Sequence, residues 1–209
     1  MPIFDQNREK MIRKIVVGSI AFALLLLIAF YFFAQSQKPT YKGTVELPGL
    51  TSEVEVYFDE FGVPHIYAEK ESDAYLALGY VHAQDRRWQM ELVRRIAAGR
   101  LSELFGADLV ETDKFFRGLG IEYASAQAMQ KLDTTSNAYL LSQAYLNGIN
   151  RFIESGRTPI EFRLLGIDKE TYNLNDIYNV FGYMSFGFAQ AQKTDPLLSH
   201  LQEKLGGEY

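Results

Sequence analysis

The sequence predicts a mostly helical α+β fold, with an N-terminal β-hairpin preceded by one transmembrane helix. Residues 15–33 run without a charge, Asn, Gln or Pro, and residues 54–68 hold two alternating segments around a turn. No proline stands between Pro64 and Pro159, which suits long helices because proline removes a backbone donor and clashes with the preceding turn. Apolar residues make up 47% of the 209 positions, enough to bury a core and to exclude global disorder. The net charge is −5, and from Lys38 onward 17 basic residues face 24 acidic ones. So acidic a body is a poor candidate for a nucleic-acid binder, since little would neutralise phosphates. Cysteine is absent, which excludes disulfides, thiol chemistry and cysteine-zinc sites.

The N-terminal segment divides into a basic stretch, residues 1–14, and the apolar run Ile15–Phe33. At about 1.5 Å per residue, that run matches a hydrocarbon layer of roughly 30 Å. Arg8, Lys10, Arg13 and Lys14 precede it, so the positive-inside rule sets the N-terminus in the cytoplasm. The competing assignment is a cleaved signal peptide; Ala34-Gln35-Ser36 is a weak cleavage site, and the apolar run exceeds the usual length. Either assignment puts the rest of the chain outside the cytoplasm. Residues 34–49 read as a tether and residues 50–209 as the body.

Val54-Glu55-Val56-Tyr57-Phe58 alternates apolar and polar, as a half-buried strand does. Turn chemistry follows at Asp59–Pro64, then an extended His65–Ala68, so a hairpin is expected. A long, largely buried helix is expected from Asp73 to about Ala98, capped by Ser72 and ended by Gly99. On it Tyr75, Leu78, His82, Asp85 and Gln89 mark one stripe. Shorter helices are expected at Leu101–Phe105, Asp113–Leu132 and Ser136–Ser155, the last stopped by Gly156. Two more follow, from Asn175 as cap to about Gln190, and from Pro196 at a first turn to Leu205.

Few constellations carry chemistry. The three histidines are too scattered for a metal site by spacing, and His82-Ala83-Gln84-Asp85 lacks the zincin pattern. Ser185-Phe186-Gly187 lacks the first glycine of a nucleophile elbow, and Gly118-Leu119-Gly120 lacks the third glycine and the strand of a phosphate loop. The helix around Glu91 crowds charges among Trp88, Met90 and Leu92. Buried charges need partners, and Asp85 with Arg86 or Arg87, and Glu91 with Arg94 or Arg95, would provide structural pairs holding the helix against a sheet.

The ordered run of motifs is more specific. Asp59-Glu60-Phe61-Gly62-Val63-Pro64-His65-Ile66, Gly79-Tyr80-Val81-His82-Ala83-Gln84-Asp85-Arg86 and Gln89-Met90-Glu91 resemble the penicillin acylase (penicillin amidase) family. Arg94-Arg95, Gly99, Glu103-Leu104-Phe105-Gly106 and Asp113 continue the match. Tyr145-Leu146-Asn147-Gly148-Ile149-Asn150 and Glu161-Phe162-Arg163-Leu164-Leu165-Gly166 extend it, so that the resemblance covers about residues 50–206.

That resemblance implies an N-terminal nucleophile hydrolase with a four-layer αββα sandwich. In the family a precursor cuts itself into α and β chains, and the β chain's new N-terminal residue attacks an amide with its own α-amine as base. This sequence is similar to an α chain with an anchor, carries no catalytic residue of its own, and is expected to be inert without the β chain. Implied substrates are N-acylated small amines such as β-lactams or acyl-homoserine lactones. The resemblance places Met184 and Phe188 in the acyl pocket, where Met adapts to irregular shapes and Phe gives a flat wall four residues on; an ordinary core stripe is the alternative. Gly187 stands where the penicillin G branch carries arginine, which puts a phenylacetyl preference in doubt. Asp195 falls at an acidic calcium ligand of the family, a carboxylate suiting a hard cation, with the other ligands on the β chain. It would otherwise simply cap the helix at Pro196. The functional alternative from another class is a non-enzymatic, membrane-anchored helical binding module.

Overall fold

A computed structural model describes residues 3–206. The chain forms two compact units, residues 1–42 and 43–209. The first is built on α1, Ile3–Ser36. Within it Lys10–Ser36 is long and apolar enough to cross a membrane; 27 residues at about 1.5 Å each reach about 40 Å. A signal sequence passes the same test.

The second unit opens with the expected hairpin, β1 (Val54–Phe58) and β2 (Pro64–Ala68), paired antiparallel with Val56 opposite Ile66. Alternation decides its faces: Val54, Val56, Phe58 and Ile66 are half-buried, whereas Glu55, Tyr57, His65 and Tyr67 point outward. The turn closes because Asp59 Oδ1 accepts from Phe61 N and Val63 N, both at 2.9 Å.

Seven helices follow the hairpin among the described residues. These are α2 (Glu71–Ala97), α3 (Ser102–Phe105), α4 (Val110–Gly118), α5 (Ile121–Met129), α6 (Asn137–Ser155), α7 (Ile160–Leu165) and α8 (Leu174–Leu205). The core lies where α2 runs along α6, around Ala83, Leu146, Ile149, Phe152 and Ile153, closed by Tyr172 and Leu174. Gly79 and Gly148 permit this crossing. A Cβ on Gly79 would collide with the Tyr145 carbonyl, and one on Gly148 with the Leu76 carbonyl.

Ser136 caps α6 as expected, its side chain accepting from Tyr139 N. Four other boundaries differ. Lys70, not Ser72, is the cap residue of α2, and without a side-chain bond. The carboxylate of Asp73, three residues into that turn, binds the incoming chain instead, accepting from Thr51 Oγ1 at 2.7 Å and from Thr51 N and Ser52 N at 3.1 Å. The expected Asp113–Leu132 helix is two, because Gly120 takes φ +72° between α4 and α5, a left-handed turn that glycine adopts without a Cβ penalty. Asn173, not Asn175, caps α8, completing a capping box with Asp176. The two C-terminal helices expected here are one, with Pro196 inside α8. Asp195 therefore caps nothing.

The buried charge cluster forms on Glu91. Its carboxylate meets Arg95 Nε at 2.7 Å, Arg94 Nη2 at 2.9 Å and Arg87 Nη1 at 3.1 Å. Arg87 and Arg94 hold α2 against the segment before α8 rather than against a sheet. Arg87 donates to the Glu170 carbonyl at 3.1 Å and Arg94 to the Thr171 carbonyl at 3.3 Å. Arg94 also lies over the Tyr172 ring at 4.5 Å. Asn150 fixes the same segment from α6, donating to the Tyr172 carbonyl at 2.8 Å and accepting from Tyr172 N at 2.7 Å.

Candidate functional site

The strapped segment leads into α8, and α2, α6 and α8 enclose an open groove of about 780 Å³. That volume falls in the range of about 300–1,000 Å³ typical of ligand pockets. From α2 come Tyr75, Leu78, His82, Arg86 and Gln89, one-sided because they repeat every three or four residues. α6 supplies Tyr145 and Ile149, and α8 supplies Ile177, Val180, Phe181 and Met184.

Most of this lining is apolar, and its polar groups converge at one wall. Nδ1 of His82 lies 2.5 Å from the Tyr145 hydroxyl. Packing around the ring lowers the His82 pKa, and the neighbouring Arg86 lowers it further against the opposing pull of Asp85. Burial pushes the Tyr145 hydroxyl up to about 12. The two groups therefore meet as a neutral pair near pH 7, one donating and one accepting. α2 bends at Arg86, whose φ of −128° and ψ of 17° are not helical, although neither proline nor glycine stands there. Asp176, on the opposite wall, is raised by burial despite the Asn173 backbone bond and Arg94.

Met184 lies on the groove wall and is 46% exposed. Phe188, one turn further along α8, lies outside the lining and is 73% exposed. Gly187 faces open space, with nothing within 4 Å of a Cβ placed on it. Asp195 is exposed within α8. Among the described residues, no group of three or more His, Asp or Glu side chains is arranged to hold a metal ion.

Local spacing gives His82 no partner, because Tyr145 lies 63 residues away. A signal was present: four members of the Tyr75-Leu78-His82-Asp85-Gln89 stripe line the groove, all but Asp85. The bend at Arg86 had no sequence signal. Ser142 also borders the groove, but its hydroxyl is engaged within the helix, donating to the Ala138 backbone carbonyl at 2.8 Å. A Tyr145 phenol this weakly acidic is a poor nucleophile at neutral pH. The groove thus offers shape and hydrogen bonds rather than an activated nucleophile.

Residues 53–209 match the family model described as penicillin amidase. Penicillin acylase 2 proenzyme from Pseudomonas sp. (strain SE83) is 44% identical over 139 residues, 66% of this chain and 18% of that protein. Acyl-homoserine lactone acylase QuiP from Pseudomonas aeruginosa (strain PAO1) is 30% identical over 178 residues, 84% of this chain and 21% of that protein. Penicillin G acylase from Escherichia coli is 31% identical over 166 residues, 75% of this chain and 19% of that protein. The chain spans about a fifth of the length of these curated relatives. Among solved structures, a thermostable penicillin G acylase from Alcaligenes faecalis superposes with a TM-score of 0.58 at 24% identity, over 75% of this chain and 86% of that one. At that identity the likeness is one of fold.

Proposed function

The chain belongs to the penicillin amidase family, and on that premise we propose that it is the α-chain portion of an amidohydrolase cleaving the amide of N-acylated small amines. The observation that carries this is the continuous match of residues 53–209 to the family. Relatives named for penicillin and for acyl-homoserine lactones both align along the body, so the acyl amide, rather than one amine, is the shared substrate feature. The same alignments leave the non-enzymatic binding module unfavoured.

In this scheme the nucleophile is the N-terminal residue of a partner β chain from the same precursor, with its own α-amine as base, and this chain is inert alone. Attack on the amide carbonyl forms an acyl-enzyme and releases the amine; water then releases the acid. This chain contributes the Met184–Phe188 turn of α8 to the acyl pocket. Met184 supplies an adaptable apolar contact at the groove wall, and Phe188 projects beyond it, where the partner chain would complete the pocket. Asp195 would offer one carboxylate oxygen to a structural calcium ion. A single exposed carboxylate does not hold calcium by itself, so the remaining oxygens belong to the partner chain and no chemical step passes through the ion. α1 would anchor the enzyme, its body on the extracytoplasmic side.

The test is an acyl-chain series assayed on the processed two-chain enzyme. Phe188→Ala should shift preference toward longer or bulkier acyl groups by about tenfold while amine preference stays put; one factor of ten corresponds to about 1.4 kcal/mol. Gly187→Arg should narrow acyl choice. A normally stable Phe188→Ala enzyme with an unchanged acyl profile would remove Phe188 from the pocket. Absence of amide hydrolysis across the whole series in the processed wild type would remove the enzymatic assignment.

A further inference from the structure

We propose that Gly182 and Ile121 are positioning residues for acyl-chain selection: their contact seats α8 on α5 and so sets how far Met184 projects from α8. This rests on the assignment of Met184 to the acyl pocket and adds to it what holds the methionine in place. Three observations support it.

First, Gly182 stands inside α8, where glycine costs backbone entropy that alanine would not. No turn explains it; a neighbour does. A Cβ on Gly182 would lie 2.6 Å from Ile121 Cγ2, well inside ordinary van der Waals contact. Ile121 is buried and opens α5 directly after the left-handed turn at Gly120. Its branched side chain is stiff at χ1, so it does not swing aside as a long flexible chain would.

Second, the same side of α8 is packed for more than one turn. Asn179, before Gly182, is buried. Phe186, after it, meets Phe115 at 5.8 Å and Phe116 at 6.1 Å, edge to face. Residues three and four apart share a helix face, so Asn179, Gly182 and Phe186 make one stripe. That stripe rests on α5 at Ile121 and on α4 at the two phenylalanines.

Third, Met184 lies on the other side of the helix. At 3.6 residues per turn it stands about 200° round from Gly182, and it lines the groove with Ile177, Val180 and Phe181. Moving α8 away from α5 therefore carries Met184 toward the groove, and a closer seat withdraws it. Close-packed surfaces give little slack, and the room for one methylene is enough to separate substrates.

The test compares kcat/KM over an acyl-chain series and over an amine series in the processed two-chain enzyme. Gly182→Ala should shift preference toward shorter acyl chains by about threefold or more, with amine preference unchanged. Ile121→Ala, which opens the seat, should shift acyl preference the opposite way. In the double variant the new methyl group fills space left by Ile121, and the acyl profile should return toward wild type. Gly118→Ala makes the same exchange in α4, where a Cβ meets nothing within 4 Å, and should leave the profile unchanged. Loss of activity in equal proportion on every acyl chain, in both single variants, would make the contact purely structural and overturn the proposal. A double variant as far from wild type as Gly182→Ala would also overturn it. If Gly182→Ala yields no processed enzyme, the acyl profile of Ile121→Ala decides alone. Met184→Ala separates the two levels. An unchanged acyl profile there would remove Met184 from the pocket, whereas a shift there with none in the seat variants would remove only the positioning role.

Discussion

Glu91 shows how much a single side chain does in this fold. It sits buried among three guanidinium groups, and its carboxylate is the only anion that touches Arg87, Arg94 and Arg95 together among the described residues. Burial by itself would raise its pKa, but Arg94 first, then Arg95 and Arg87, hold it below the ordinary glutamate value. Removing the charge strands three cations, and breaking a buried pair costs about 3–5 kcal/mol. Glu91→Gln is therefore expected to lower the melting temperature of the assembled enzyme clearly at pH 7; an unchanged melt would show the cluster to be dispensable. The pH dependence has a fixed sign. A depressed folded pKa gives stability that is present above the unfolded value of about 4.3 and lost as pH falls through the lower folded value. Wild type should thus lose more stability than Glu91→Gln between neutral pH and that acid range. Asp113 adds to the same loss. Its burial disfavours the carboxylate, but bonds from Ser102 and Leu101 outweigh this and lower its pKa.

At the scale of elements, the α2–α6 crossing is the joint on which the groove depends. Gly79 and Gly148 place each backbone against the other, where a methyl group would strike a carbonyl oxygen. Gly148→Ala should destabilise the protein by about 1–3 kcal/mol or more, since overpacking at backbone contact cannot be relieved by a side-chain rotation. A melt of Gly148→Ala equal to wild type would mean the helices can separate freely. The sequence made the helices legible through their apolar stripes and, at Ser136, through the cap. It misplaced the start of α8 because Asn173 and Asn175 satisfy the same capping rule, and the start of α2 because Lys70 opens that helix without a side-chain cap. Asp73 was spent on Thr51 and Ser52, a partner 22 residues away that local pattern does not contain. Pro196 was expected to start a helix; α8 runs through it despite losing one i→i−4 bond.

For the whole molecule, the two units pose separate questions. The segment Lys10–Ser36 has the length and apolarity of a membrane span, and the basic residues before it set an expected orientation. Protease added to intact spheroplasts should digest the chain beyond Lys38, whereas digestion only in inverted vesicles would reverse the topology. By itself the sequence determined the apolar run, the hairpin, the helical stripes and the ordered motifs that place residues 53–209 in their family. These are local or additive properties: periodicity and turn chemistry are written within a few residues, and motifs survive in order along the chain. Only the tertiary structure decided that His82 meets Tyr145 across 63 positions, that Met184 closes the same groove from α8, and that Phe188 does not. Periodicity says which face of a helix is apolar, not which other face covers it. That choice was made where two glycines let α2 and α6 touch, and where Asn150 and the arginines around Glu91 tied the chain leading into α8 against them.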